Sequence, residues 1–385
     1  MIPIYLDSHA TTPVDPRVLD AMMPFFTEHF GNASSKNHRF GWTAGKAVEL
    51  AREQVAALIG ARRRDVVFTS GATESNNLAI KGVAARASQN RRHIVTVSTE
   101  HRAVLDPCSS LERAGFRVTI IGVKPDGHLD LQQLSEALTD DTLLLSVMSA
   151  NNEIGVLHPI DEITHLARAR GVVVHCDAVQ SAGVIPMNAN ELGIDLLSLS
   201  AHKIHGPKGV GALFVAKKTP AIEIEALFDG GGHERGYRSG TLNVPAIVGF
   251  GRAAELCLET AAADFSRMER LRNRLWLGLA ESVDEVHVNG AMEKRLPQNL
   301  NVRFDGVRGE MLLKALAGDI AVSSGAACAT ASAEPSHVLR ALGLSDEEAR
   351  ASIRFGLSRS TTEQEIDATV ARVGDLVRQL KKQAG

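Results

Sequence analysis

The sequence predicts an α/β fold: a large domain around a mostly parallel seven-stranded sheet, joined to a smaller α+β domain. Three observations carry this. Short, near-continuous apolar runs recur between about residues 66 and 215, as strands buried on both faces require. Segments of helical period separate them, which is the pattern of crossover connections in a parallel sheet. The length, 385 residues, exceeds what one core ordinarily organises, so two domains are expected.

In chain order the strands read Val66 to Thr69, His93 to Val97, Arg117 to Ile121, Leu143 to Val147, Val172 to Val174, Leu196 to Leu199 and Gly211 to Val215. Amphipathic helices are expected at Ala47 to Leu58, Leu129 to Leu138 and Ile160 to Ala169. After about residue 260 the character changes. A long charged helix, Asp264 to Leu279, leads into strand-like Val286 to Val288 and Asn299 to Phe304. A helix over Glu310 to Leu316 and a further strand and helix close the chain. No repeat or low-complexity linker interrupts it, so the domain boundary is expected inside a helix. Residues 16–260 then form the large domain, and residues 1–15 with 261–385 the small one.

Composition narrows the class. The chain is 44% hydrophobic and 23% charged with a net charge of -3, the profile of a globular protein without a nucleic-acid or anionic-membrane partner. No apolar run approaches the roughly 18 residues of a membrane span, and Met1 to Asp7 has no basic or long apolar leader. The expected compartment is the cytoplasm. Cysteines at 108, 176, 257 and 328 form no CxxC pair, which argues against a disulfide framework or zinc ribbon. A special cysteine in such a chain would be reactive rather than structural.

The segment from Asp177 to Lys203 carries the most chemistry. Asp177 closes one strand, Gln180 lies a turn beyond, and the next strand delivers His202 and Lys203 into a glycine-bearing turn. A lysine and a carboxylate at neighbouring strand ends are what pyridoxal phosphate (PLP) needs: an amine for the Schiff base and an anion for the pyridinium nitrogen. A strand-capping aspartate and a solvated lysine would read the same way in isolation. The run Phe68 to Asn77 is strand, glycine turn and helix start, which is either a phosphate cradle helped by Thr73 or an ordinary capped helix. His101 follows another strand end and suits stacking and proton transfer, or a structural role. Asn151 to Gly155 follows a further strand end and offers an amide, or is a polar turn.

The stretch Gly230 to Thr241 is too glycine-rich and charged for core, so it is a surface loop or reaches a phosphate or a neighbouring subunit. Cys328 sits among small residues from Ser323 to Ala333, a setting that suits an accessible nucleophile. Arg354, inside the strand-like run Ser352 to Gly356, would clamp a carboxylate or form an ion pair. No metal site is expected, because strand alternation points His175 and Asp177 away from Cys176.

Together these segments resemble the cysteine desulfurases of the IscS/NifS group, which are class V aminotransferases and PLP enzymes of fold type I. The match covers Tyr5 to Asp7, Ala10 to Pro13, Phe30 to Asn32, Thr69 to Asn77, Thr99 to His101, Asn151 to Gly155, His175 to Gln180, His202 with Lys203, Gly206 to Gly209, Gly231 to Thr241 and Ser323 to Cys328. The resemblance implies that Lys203 holds PLP and carries the Cα proton. Asp177 would pair with the ring nitrogen, Gln180 with the ring hydroxyl, and His101 would stack and act as acid and base. Thr73, Ser200 and His202 would bind the cofactor phosphate, with Thr241 supplied by the partner of a homodimer, and Ala72 would also contact the cofactor. Asn152, Arg354 and Asn32 would hold the substrate carboxylate, and Cys328 would be the nucleophile.

The implied reaction converts L-cysteine to L-alanine and leaves a persulfide on Cys328 for a sulfur-acceptor protein, a scaffold or sulfur carrier. That sulfur would serve iron–sulfur cluster assembly or tRNA or DNA modification. Two departures stand out. Alanines flank Cys328 where housekeeping members have serines, and the chain ends at Gly385 without the extended tail such members use to dock a scaffold. A selenocysteine lyase or a class V aminotransferase is the nearest alternative.

Overall fold

A computed structural model describes residues 3–324 and 334–384. The central sheet contains β2 (Val66–Thr69), β3 (His93–Val97), β4 (Arg117–Ile121), β5 (Thr142–Met148), β6 (Val173–Asp177), β7 (Leu196–Ser200) and β8 (Gly211–Val215). Their spatial order is β2-β8-β7-β6-β5-β3-β4, and only β8 runs antiparallel to its neighbours. Every residue of β2, β3, β7 and β8 is buried, because helices cover both faces. The carboxyl ends of β3, β5, β6 and β7 therefore lie along one edge, where open α/β sheets take their ligands.

The expected seven strands are present, with β6 extending to Asp177, beyond the apolar run. His175 can stay inside the sheet because its ring is satisfied on both sides. Nδ1 lies 2.8 Å from Ser146 Oγ on β5, and Nε2 lies 2.9 Å from Ser198 Oγ on β7. A buried polar ring without such partners would cost several kcal/mol, on the order of 2–7.

Two helices are longer than the sequence pattern indicates. Arg39–Leu58 begins earlier because the His38 ring accepts from the Gly41 N–H at 3.2 Å, and glycines at 41 and 45 obscure its first turns. Val244–Ser282 runs for 39 residues from an Asn243 cap whose side chain accepts from the Ala246 N–H. Its first part, through Cys257, packs into the core beneath the large sheet. Its later part packs through Leu271, Leu275 and Leu279 into a second core. Residue 260 lies between those two sets of contacts.

The second core lies against an antiparallel sheet of β9 (Val286–Val288), β10 (Asn299–Phe304) and β12 (Ser352–Gly356), ordered β12-β10-β9. The start of the chain joins it. β1 (Ile4–Tyr5) pairs in parallel with β11 (Ile320–Ala321), and Leu6 is fully buried in the same core. Among the described residues, no helix is long and apolar enough to cross a membrane.

Candidate active site

Above the carboxyl edge of the sheet lies a cavity of about 1030 Å³. Its lining includes Ala72, Thr73, His101, Asn152, Asp177 and Gln180, together with Ser200, His202, Lys203 and Arg354. Ten residues singled out along 283 positions of sequence thus meet in one space.

Asp177 ends β6 and is 6% exposed. Its carboxylate is held in place by two donors: Asn76 Nδ2 at 2.8 Å and the Val179 N–H at 3.0 Å. Lys203 follows β7 in a single turn, Ala201–Lys203, and its ammonium donates to the main-chain oxygens of His9 and Ala10. His101 caps the helix Arg102–Arg113, its Nδ1 accepting from the Ala103 N–H at 3.1 Å. Nε2 is therefore the nitrogen left to carry the proton of the neutral ring. Burial lowers the His101 pKa, partly opposed by the charge of Asp177.

The helix Ala72–Ala85 opens into the same space. Its cap, Gly71, has φ 154° and no side-chain cap bond, a backbone conformation open to glycine. A Cβ added at Gly71 would meet nothing within 4 Å among the described residues, and Gly71, Ala72 and Thr73 all line the cavity. Glu74 would repel an anion there, but it is neutralised: Arg238 Nε donates to it at 2.9 Å and the Ser70 N–H at 2.8 Å. His202 Nδ1 lies 3.1 Å from Thr11 Oγ1, and burial, then Lys203, lowers the ring pKa to about 4.

This set of groups fits PLP. A buried, donor-supported carboxylate suits a protonated ring nitrogen, a lysine amine lies in the same cavity, and an open helix N-terminus with Thr73, Ser200 and His202 suits a phosphate.

Arg354 enters from the other side, on β12, and is 1% exposed. Nη2 pairs with Asp7 Oδ1 at 2.8 Å, and Nη1 donates to the Asn152 carbonyl at 3.0 Å. The arginine thus makes the ion pair with Asp7 and also lines the cavity. Asn32 is not brought to the cavity: it is exposed, and its side chain accepts from the Ser34 N–H at 2.9 Å. Thr241 is exposed and absent from the lining of its own chain's cavity. Cys328 lies outside the described residues.

The chain matches the aminotransferase class-V family over residues 4–369. It belongs to that family, within the IscS/NifS group. A protein named cysteine desulfurase IscS from Anaeromyxobacter sp. (strain Fw109-5) is 57% identical over 381 residues, covering 99% of this class V chain and 94% of the relative. A solved NifS-like protein superposes with a TM-score of 0.92 at 38% identity, covering 98% of this chain and all of its own. A structure described as SspA in complex with cysteine gives 0.81 at 36% identity, covering 93% and 100%. Members of this family are PLP enzymes, in keeping with the groups around the cavity.

Four residues of this class V site had no role in the sequence reading. Asn76 holds Asp177, and its place three residues after Thr73 puts the two side by side on the cavity face of one helix. His9 is buried beside Gln180. Glu100 accepts from the Met148 N–H while its Oε2 has no hydrogen-bond partner among the described residues; burial, then Asp177, pushes its pKa well above the ordinary value. Glu153 accepts from Ser336 Oγ, tying the active-site turn to the helix His337–Ala341. Only long-range pairing reveals these contacts.

The 230–241 loop lies at the surface but turns one charge inward. Glu234 is 7% exposed, not a surface charge. Arg52 clamps it through two bonds of 2.6 and 2.7 Å, and the Phe68 N–H donates to it at 2.7 Å. The loop is thereby fastened to β2, and Arg238 reaches Glu74 from it.

Proposed function

We propose that this chain is a PLP-dependent cysteine desulfurase that converts L-cysteine to L-alanine and leaves sulfur as a persulfide on Cys328. The observation that carries this is the convergence of Asp177, His101 and Lys203 with Arg354 on one cavity. Its class V relatives support the same reading.

Asp177, Gln180, Thr73, Ala72, Ser200 and His202 would hold the cofactor. Bound PLP supplies an electron sink for negative charge at the substrate Cα. Every other part of the work falls to the chain. Arg354 and the Asn152 turn orient the substrate carboxylate, which fixes the face that Cα presents. Lys203 Nζ removes and returns the Cα proton, and His101 Nε2 shuttles protons at the cavity side. The Cys328 thiolate attacks the substrate sulfur; the S–Cβ bond breaks, its electron pair passes to Cβ, and Cβ takes up a proton to give alanine. The new S–S bond keeps the sulfur on the protein for an acceptor protein.

The active unit in this reading is a cytoplasmic homodimer in which Thr241 of one subunit completes the partner's phosphate site. Residues 16–260 form the cofactor domain, and residues 1–15 with 261–385 carry Arg354 and Cys328. The test is product analysis. Purified holoenzyme given L-cysteine and a thiol reductant should release alanine and sulfide in equal amounts. Amino transfer to a keto acid would establish an aminotransferase instead, and activity on selenocysteine alone would establish a selenocysteine lyase.

A further inference from the structure

We propose that His9 is a positioning residue that fixes the orientation of the Gln180 carboxamide, so that Gln180 meets the cavity as a hydrogen-bond donor. The proposal rests on the reading of Gln180 as the partner of the cofactor's ring oxygen.

The argument begins at the Glu153 carbonyl, which can only accept. It lies 3.1 Å from Asn299 Nδ2, so that atom is the amide nitrogen and not the oxygen. The same Nδ2 lies 3.1 Å from His9 Nε2. With one hydrogen given to Glu153, the other points at the ring, and Nε2 offers it a lone pair; the Gln298 carbonyl also lies beside the ring, while the aligned partner of Nε2 is Asn299. The proton of the neutral imidazole then sits on Nδ1. Nδ1 is 2.8 Å from Gln180 Oε1, so His9 donates to Gln180. Gln180 Nε2 in turn donates to the His9 main-chain oxygen at 3.1 Å.

Each contact fixes the next. A flipped Gln180 would set its NH₂ against the Nδ1–H and its oxygen against the His9 carbonyl, two repulsive contacts in a buried site. As it stands, one Gln180 amide hydrogen is used and the second remains for an acceptor in the cavity that Gln180 lines. That acceptor is the anionic ring oxygen of the cofactor. The His9 ring stays neutral at working pH, because burial, then the charge of Arg354, lowers its pKa to about 3. Asn299 lies on β10 and Gln180 follows β6, so His9 also joins the two sheets at this point.

Three measurements on the holoenzyme test the proposal. Nitrogen-15 NMR of histidine-labelled protein, with His9 assigned by its loss in His9→Asn, should show the Nδ1-protonated tautomer. An Nε2-protonated or doubly protonated ring overturns the proposal, without any need for a disabled variant. Second, His9→Leu should raise the PLP dissociation constant about tenfold and shift the visible absorption maximum. His9→Asn, whose amide N–H can stand in for Nδ1–H, should restore both; failure of Asn to outperform Leu counts against the donor role. Third, the His9→Leu, Gln180→Ala double variant should bind PLP no more weakly than Gln180→Ala alone. Additive losses overturn the proposal while leaving the role of Gln180 intact. A Gln180→Ala protein with unchanged affinity and absorption overturns the reading of Gln180, and the proposal with it.

Discussion

The floor of the cavity is the carboxyl edge of one parallel sheet, whereas its wall joins segments from opposite ends of the chain. On the floor, Asp177, Ser200 and Lys203 lie within 27 consecutive residues, 177–203, and His101 follows β3 in the same sheet. On the wall, Arg354 pairs with Asp7, 347 positions away, and with the Asn152 carbonyl, 202 positions away. The difference assigns their duties. In the proposed function, a floor set by strand ends holds the cofactor, while a wall assembled across two cores reads the substrate. Variants on the floor should change the cofactor spectrum, and variants on the wall should change KM with the spectrum intact.

The largest expected effect is on the floor. Lys203→Ala should abolish alanine formation and the visible band of the bound cofactor together. A variant that retains the band and more than a trace of turnover would remove Lys203 from its role. Next comes the wall. Arg354→Gln should raise KM for L-cysteine about a hundredfold, with a smaller change in kcat, because a charge-assisted contact to the carboxylate is lost. Arg354→Lys should not restore it, since an ammonium lacks the planar fork. A shift of the cofactor band in Arg354→Gln before substrate is added would blur the division between floor and wall.

A subtler effect is expected one step behind the floor. Asn76→Ala removes one of the two donors to Asp177 and should weaken PLP binding about tenfold, leaving KM for L-cysteine within about twofold. Equal losses in both quantities would mean that Asn76 serves the wall as well.

A last effect concerns stability and pH rather than the site, and it comes from beneath the cavity. Burial lowers the pKa of His158 and of His175 to about 4, from an ordinary value near 6.5. Such a ring takes up a proton more readily in the unfolded chain. Its stabilising contribution is therefore complete above about pH 6.5 and is lost as pH falls toward 4. The buried carboxyls of Glu100 and Glu153 act in the opposite sense: burial raises both, so each weighs against folding as pH rises above the ordinary carboxylate range. His158→Leu should lose about 2 kcal/mol less unfolding free energy than the parent between pH 7 and pH 5, by urea denaturation. Parallel losses in both proteins would place the titration elsewhere.

The same contrast explains what the sequence disclosed. Strand ends announce themselves locally, so Asp177, His101, Lys203 and the Ala72–Thr73 helix start were legible from short runs, and so was the sheet that aligns them. The end of β6 at Asp177 was legible too, whereas the partners that let polar His175 sit inside it, Ser146 and Ser198 on adjacent strands, were not. Glu234 looked like a surface charge because its partner, Arg52, is 182 positions distant. His9, Asn76 and Glu153 were silent for the same reason: each acts through a side chain or carbonyl from another part of the chain. Asn32 shows the converse, a matched motif residue whose side chain stays in its own turn.

The floor alone would support several reactions of amino acids; in the proposed function, what directs it to sulfur is Cys328. Holoenzyme carrying Cys328→Ser should therefore be mixed with L-cysteine, following the visible spectrum and the release of alanine and sulfide together. The account predicts a spectral change on substrate binding with neither product formed. Undiminished release of alanine and sulfide by that variant would contradict it.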